Sequence, residues 1–131
     1  MKILGIGIDI VENSRIKRSL KKSSFLKKIF TPNEIKSANR YKDKKAYYAK
    51  RFAAKEAFVK SIGLGFRYDL NFIDISITND KLGKPFFIIS EKLKKIIKKQ
   101  FKVKTFNFFL SISDEKKYSI AYVILQKNEN R

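Results

Sequence analysis

"KAYYAKRFAAKEAFVKSIG", residues 45–63, is the stretch on which the fold turns. Ala49, Phe52, Ala53, Glu56, Val59 and Gly63 recur at spacings of three and four, so one face of a helix carries them all. The anomaly is in the middle. Glu56 stands inside this stripe, and a glutamate is almost never fully buried without a partner. Lys60 follows one helical turn later, and a surface pair between the two is the plainest account. Lys55 and Lys60 flank the carboxylate in sequence, which leaves a second account open, a cleft where acid and base meet a ligand.

After this helix the periodicity changes to two. Ile73, Ile75 and Ile77 alternate with Asp74, Ser76 and Thr78, which predicts a strand; "NDKLGKP", 79–85, is turn chemistry, and "FFII" follows as a second strand. Ser90 is placed to cap a lysine-rich helix with Leu93, Ile96, Ile97 and Phe101 inward. "TFNFFLSIS" and "YSIAYVIL" close the chain as two strands joined through "DEKK". Toward the N-terminus, "TPNE" at 31–34 is a helix start with Thr31 as cap, Pro32 in the first turn and Glu34 completing a capping box. Asn13 or Ser14 is expected to cap a helix running to about Lys22, with "SS" at 23–24 interrupting it before "FLKKIF". Helices and strands thus come in separate runs with hairpins. The expected class is α+β, a mainly antiparallel sheet with a long central helix and shorter flanking helices, in one domain over residues 1–131.

"GIGIDI", residues 5–10, reads as a strand with Gly5, Gly7 and Asp9 on one face and Ile6, Ile8 and Ile10 on the other. Paired glycines in a strand mark a bend or a close approach of something to the backbone. A ligand that needs room and a charge is one candidate, since Asp9 ends the clearing. If Asp9 and Glu56 converge, two carboxylates among lysines suit a hard cation such as Mg²⁺ bound together with substrate phosphates.

Composition narrows the chemistry. The chain has no histidine and no cysteine, which excludes an imidazole base, a Ser-His-Asp triad, a thiol nucleophile and a disulfide framework. No window approaches the roughly 20 apolar residues of a membrane span, and the N-terminus lacks a signal peptide's pattern. A cytoplasmic protein with no membrane partner is expected. The formal charge of +19 raises a different reading, a small basic nucleic-acid-binding protein without catalysis. The basic residues are 25 Lys and 6 Arg, however, and base-edge readout leans on arginine. That reading also leaves Gly5, Gly7, Asp9 and Glu56 without a purpose. Arg15, Arg18, Lys22 and Phe25 fall at i, i+3, i+7 and i+10, a basic stripe ending in an aromatic. It is either a solvated face or a docking surface for an acidic partner.

Taken in order, "GIGIDIVENSRI", "FTPNE", "KRFAAKEAFVKSIGLG", "NDKLGKP" and "SISDEKKYSIAYVI" resemble the motif series of the holo-[acyl-carrier-protein] synthases, the small class of 4′-phosphopantetheinyl transferases. The resemblance runs from about residue 3 to residue 125. It implies transfer of the phosphopantetheine arm of coenzyme A to a serine of apo acyl carrier protein, in support of fatty acid biosynthesis. Asp9 and Glu56 match the family's Mg²⁺ ligands, the glycines would make room beside them, and Lys60 would neutralise charge on the phosphates. Asp9, Glu56 and Lys60 are therefore the catalytic candidates. Arg51, Lys60, Gly63, Gly65, Lys84 and Pro85 fall in stretches that resemble the coenzyme-binding parts. Arg15 matches an arginine on the helix that docks the acidic carrier protein, with Arg18, Lys22 and Phe25 beside it. The resemblance also implies a homotrimer with sites at subunit interfaces. Two positions depart from the usual pattern: Phe52 stands where many members have Trp, and Asp114 where many have His or Thr, so no role is carried to Asp114.

Overall fold

The computed structural model describes residues 1–65 and 67–128. Its elements are β1 (Lys2–Glu12), α1 (Asn13–Ser19), α2 (Ser23–Ile29), α3 (Pro32–Ala38), α4 (Lys44–Ile62), a 3₁₀ turn (Phe72–Asp74), β2 (Ile75–Asn79), β3 (Pro85–Ile89), α5 (Glu91–Phe101), β4 (Phe106–Asp114) and β5 (Tyr118–Lys127). The class is α+β, as expected. The antiparallel strands divide into two sheets, a three-stranded one in the order β1-β5-β4 and a ribbon of β2 and β3.

Local chemistry sets most of the boundaries. The Thr31 hydroxyl accepts from the Glu34 amide at 3.2 Å, and the Glu34 carboxylate accepts from the Thr31 amide at 3.0 Å, which closes the capping box on α3. Asp43 caps α4 through the Ala46 amide, and Gly63 ends that helix at φ 73°, in the left-handed region that glycine tolerates. Ser90 caps α5. Two expectations shift. The serines at 23–24 open α2 rather than merely interrupting a longer helix, and α1 stops at Ser19. The strand expected from Ile73 begins only at Ile75, because the Asp74 carboxylate accepts from the Asn71 amide and Phe72–Asp74 wind into a 3₁₀ turn, leaving Ile73 exposed.

Helix α4 is the spine of the core. Ala53 and Ala57 pack with Val11, Ile16, Phe30 and Val123 on one part of it. Phe58 and Ile62 pack with Ile75, Leu93, Ile97 and Leu125 on the other. Its contact with β1 answers the question set by the glycines. A Cβ on Gly7 would fall 1.8 Å from the Ala57 carbonyl oxygen, and one on Gly5 would fall 1.8 Å from that of Ser61. The clearing is filled by the backbone of α4, so the room these glycines make is room for a helix and not for a ligand. The opposite face of the same sheet is bare. Ile6, Ile8 and Ile10 are more than half exposed, and Phe109 and Tyr122 lie in register beside them.

Candidate active site

The glycine contact places the carboxylates. Ser61 lies over Gly5 and Ala57 over Gly7, so α4 runs antiparallel to β1 and carries Glu56 and Lys60 past Asp9, the next residue on that face. The Lys60 ammonium donates to Asp9 Oδ1 at 3.1 Å and to the Ile8 carbonyl at 2.9 Å. The Asp9 side chain is 15% exposed and that of Lys60 53%, so the pair sits at a lip rather than in the core. Asp9 Oδ2 is buried and has no hydrogen-bond partner among the described residues. Burial pushes the Glu56 carboxyl above its ordinary range, and the negative charge of Asp9 pushes the same way, while Lys60 and Arg15 pull it down. Two acids and two cations therefore share one partly shielded cleft.

This donor set fits a hard divalent cation. Both acids offer carboxylate oxygens, and one of those oxygens, Asp9 Oδ2, is buried with no donor among the described residues. Among the described residues no group of three or more His, Cys, Asp or Glu could hold a metal. A two-carboxylate arrangement of this kind suits Mg²⁺, which keeps waters and substrate phosphates in its remaining positions.

The flanking lysines divide. Lys60 forms its ion pair across to Asp9 of β1. Lys55 leaves α4 in another direction and does not line the Asp9 cleft. Its ammonium is fully buried, pairs with Glu34, and donates to the Ile29 carbonyl at 2.7 Å. Glu34 also accepts from the Ile77 amide at 3.1 Å. The lysine expected on one side of Glu56 thus ties α2, α3 and β2 to α4.

The candidates for coenzyme binding fall in two places. Gly63 and Gly65, both at positive φ and exposed, continue from Lys60 off the end of α4. Arg51 and Pro85 instead line a separate cleft of about 160 Å³ with Lys50, Asn79, Gly83 and Asp114. Five residues on a helix separate Arg51 from Glu56, a rotation of about 140°, so the two clefts lie on different sides of α4. Arg51 is buried, donates to Asn79 Oδ1 at 2.9 Å and lies 3.7 Å above the Tyr47 ring, yet its Nε has no partner. Lys84 enters by its backbone: its amide and that of Leu82 donate to Asp80 Oδ1, which, with Gly83 at φ 88°, shapes the turn under Pro85.

Arg15 and Arg18 are exposed on α1, and Arg15 is close enough to influence Glu56. The stripe does not continue along one helix, because Lys22 precedes α2 and the Phe25 ring, 6.0 Å from that of Phe52, packs against the core. Asn79, Tyr47 and Asp114 were not among the candidates. Asn79 was visible only as the first residue of the 79–85 turn, and nothing local marks Tyr47 as the ring under Arg51.

Three comparisons bear on this arrangement. The family model for the 4′-phosphopantetheinyl transferase superfamily matches residues 5–123. A holo-[acyl-carrier-protein] synthase of Pelagibacter ubique is 65% identical, across 97% of this chain and 99% of that protein. Among solved structures, the holo-[acyl-carrier-protein] synthase of Neisseria meningitidis superposes with a TM-score of 0.87 at 40% identity, covering 96% of this chain and all of its own. The Helicobacter pylori enzyme, solved in complex with coenzyme A, gives 0.77 at 32% identity over 92% of this chain and 99% of that one.

Proposed function

Since this chain belongs to the 4′-phosphopantetheinyl transferase superfamily, and within it to the holo-[acyl-carrier-protein] synthases, we propose that it moves phosphopantetheine from coenzyme A to a serine of apo acyl carrier protein with Mg²⁺ held by Asp9 and Glu56. The observation that carries the metal assignment is the buried Asp9 Oδ2, without a partner among the described residues, near the Glu56 carboxyl, whose pKa burial and then Asp9 raise. When bound, Mg²⁺ would supply charge neutralisation at the coenzyme pyrophosphate. Lys60, already at the lip, adds a second positive charge for the same phosphates.

The serine oxygen attacks the phosphorus that carries the pantetheine. The bond from that phosphorus to the bridging oxygen breaks, and adenosine 3′,5′-bisphosphate leaves with the electron pair. The hydroxyl proton passes to a site carboxylate, Glu56 or Asp9, because the chain has no histidine to receive it. Arg15, which influences Glu56, and Arg18 stand exposed on α1, where they would steer an acidic carrier protein. The Arg51 cleft, with a free guanidinium donor and Pro85 at its edge, suits the adenosine end of the coenzyme.

One protomer keeps these two clefts apart. The bare face of Ile6, Ile8, Ile10, Phe109 and Tyr122 supports assembly of copies, a homotrimer in which one chain's Asp9 cleft meets a neighbour's Arg51 cleft. The reaction is tested by the intact mass of an apo acyl carrier protein incubated with this chain, coenzyme A and Mg²⁺. A gain of one phosphopantetheine, lost in EDTA, is expected. No gain on a carrier that another transferase modifies would overturn the assignment.

A further inference from the structure

The two sheets meet along a seam. β3 is an edge of the ribbon, β4 is an edge of the three-stranded sheet, and no ladder joins them. Where α5 hands over to β4 the seam opens into a cleft of about 470 Å³. Phe87, Phe106 and Phe108 form its floor, and Phe86 stands at the lip, 44% exposed. The floor rings pack edge-to-face, Phe87 and Phe106 lying 5.9 and 5.7 Å from Phe108, which itself stacks on Phe58 at 4.2 Å. Their faces are thus engaged by one another, which disfavours base stacking and leaves ring edges and methylenes for an alkyl chain.

The rim is basic. Lys94 and Lys98 come from α5, one turn apart, and Lys104 comes from the connection to β4. Exposed Glu91 pairs with Lys94 at 3.0 Å, whereas neither Lys98 nor Lys104 has an ion-pair partner among the described residues. The described lining residues include no carboxylate. An inorganic phosphate would leave the apolar floor unused, and an uncharged lipid would leave the two ammonium groups unused.

From this juxtaposition of a phenylalanine-floored slot with two unpaired lysines, we infer that the seam binds a single-chain amphiphile with an anionic head, a free medium-chain fatty carboxylate. The tail lies on Phe87, Phe106 and Phe108, and the head meets Lys98 and Lys104. The cleft volume is within the ordinary range for small-molecule sites. The site uses the opposite end of β4 from Asp114 and shares no lining residue with either cleft assigned to the transfer reaction.

The test is calorimetric titration of the full chain with dodecanoate below its micellar concentration, without coenzyme A or Mg²⁺, so that its outcome is separate from that of the transfer assay. Saturable one-to-one binding is expected, weakened by about tenfold or more in K98E/K104E. K17E/K21E, which changes the net charge equally but on and beside α1, should bind like the wild type. Dodecanol should not compete. Equal losses in both double variants would reduce the binding to attraction by a +19 chain and overturn the site. So would butyrate binding as tightly as dodecanoate, saturation by single-stranded DNA displacing dodecanoate, or binding only to anionic vesicles.

Discussion

Lys55 and Lys60 leave the same helix and each meets a carboxylate, but the two pairs are built for opposite ends. Lys55 and Glu34 are sealed, and their remaining hydrogen-bonding capacity is taken up by Ile29, Phe72, Ile77 and Thr31. Lys60 and Asp9 sit at a lip, with one carboxylate oxygen unused and Glu56 within their electrostatic reach. A closed network has no capacity left for a ligand, so it can only hold elements together. An open one stores unmet electrostatic demand, and a cation with phosphates can meet it.

Three experiments would break or sharpen this contrast. The largest effect is expected at the open end: D9A or E56A should lower transfer by roughly two to three orders of magnitude, with the circular dichroism spectrum unchanged. Wild-type turnover in either folded variant would end the idea that the unmet demand is catalytic. Next, K55M should cost about 3–5 kcal/mol in denaturant unfolding, because it leaves Glu34 charged and buried without its partner. The K55M/E34Q double variant should regain much of that loss. If K55M lost activity while keeping its stability, the sealed pair would belong to the chemistry after all.

The smallest effect concerns alkali. The Tyr47 hydroxyl donates to the Glu34 carbonyl at 2.6 Å, and burial raises its pKa to about 12, with Arg51 opposing and Glu34 reinforcing the shift. The unfolded phenol titrates near its ordinary value of about 10. A pKa raised on folding contributes stability that is complete below the unfolded value and is lost as pH climbs through the folded one. Stability carried by Tyr47 should therefore fade between about pH 10 and 12, and Y47F should show a shallower decline over that window. Parallel curves for the two proteins would remove Tyr47 from the sealed network.

What the sequence revealed followed from the range of the forces involved. The Thr31–Glu34 capping box, the Asp80 turn, the β4–β5 hairpin and the inward face of α5 are set by neighbours a few residues apart, and all were legible. Asp9 and Glu56 were legible as oddities, a charge after glycines and a charge in a stripe, but their meeting depends on β1 and α4 touching. The glycines were misjudged for the same reason, since only tertiary contact shows that a helix and not a ligand occupies their space. Lys55 and Lys60 look alike on a helical wheel, and nothing local says that one finds a buried partner 21 residues upstream. The Arg15-to-Phe25 stripe failed because periodicity was carried through a chain turn between α1 and α2.

The Gly5–Ser61 and Gly7–Ala57 contacts have a consequence for how this protein tolerates change. Backbone lies on backbone there, so the spacing between β1 and α4 is set by van der Waals contact of main-chain atoms and not by the rotamers of intervening side chains. Core residues elsewhere, such as Ile75 or Leu93, can then drift in size while Asp9 and Glu56 stay in step. Heritable variation in stability is thereby uncoupled from variation in catalysis, and the two glycines become the narrow points through which that freedom is granted to the rest of the sequence.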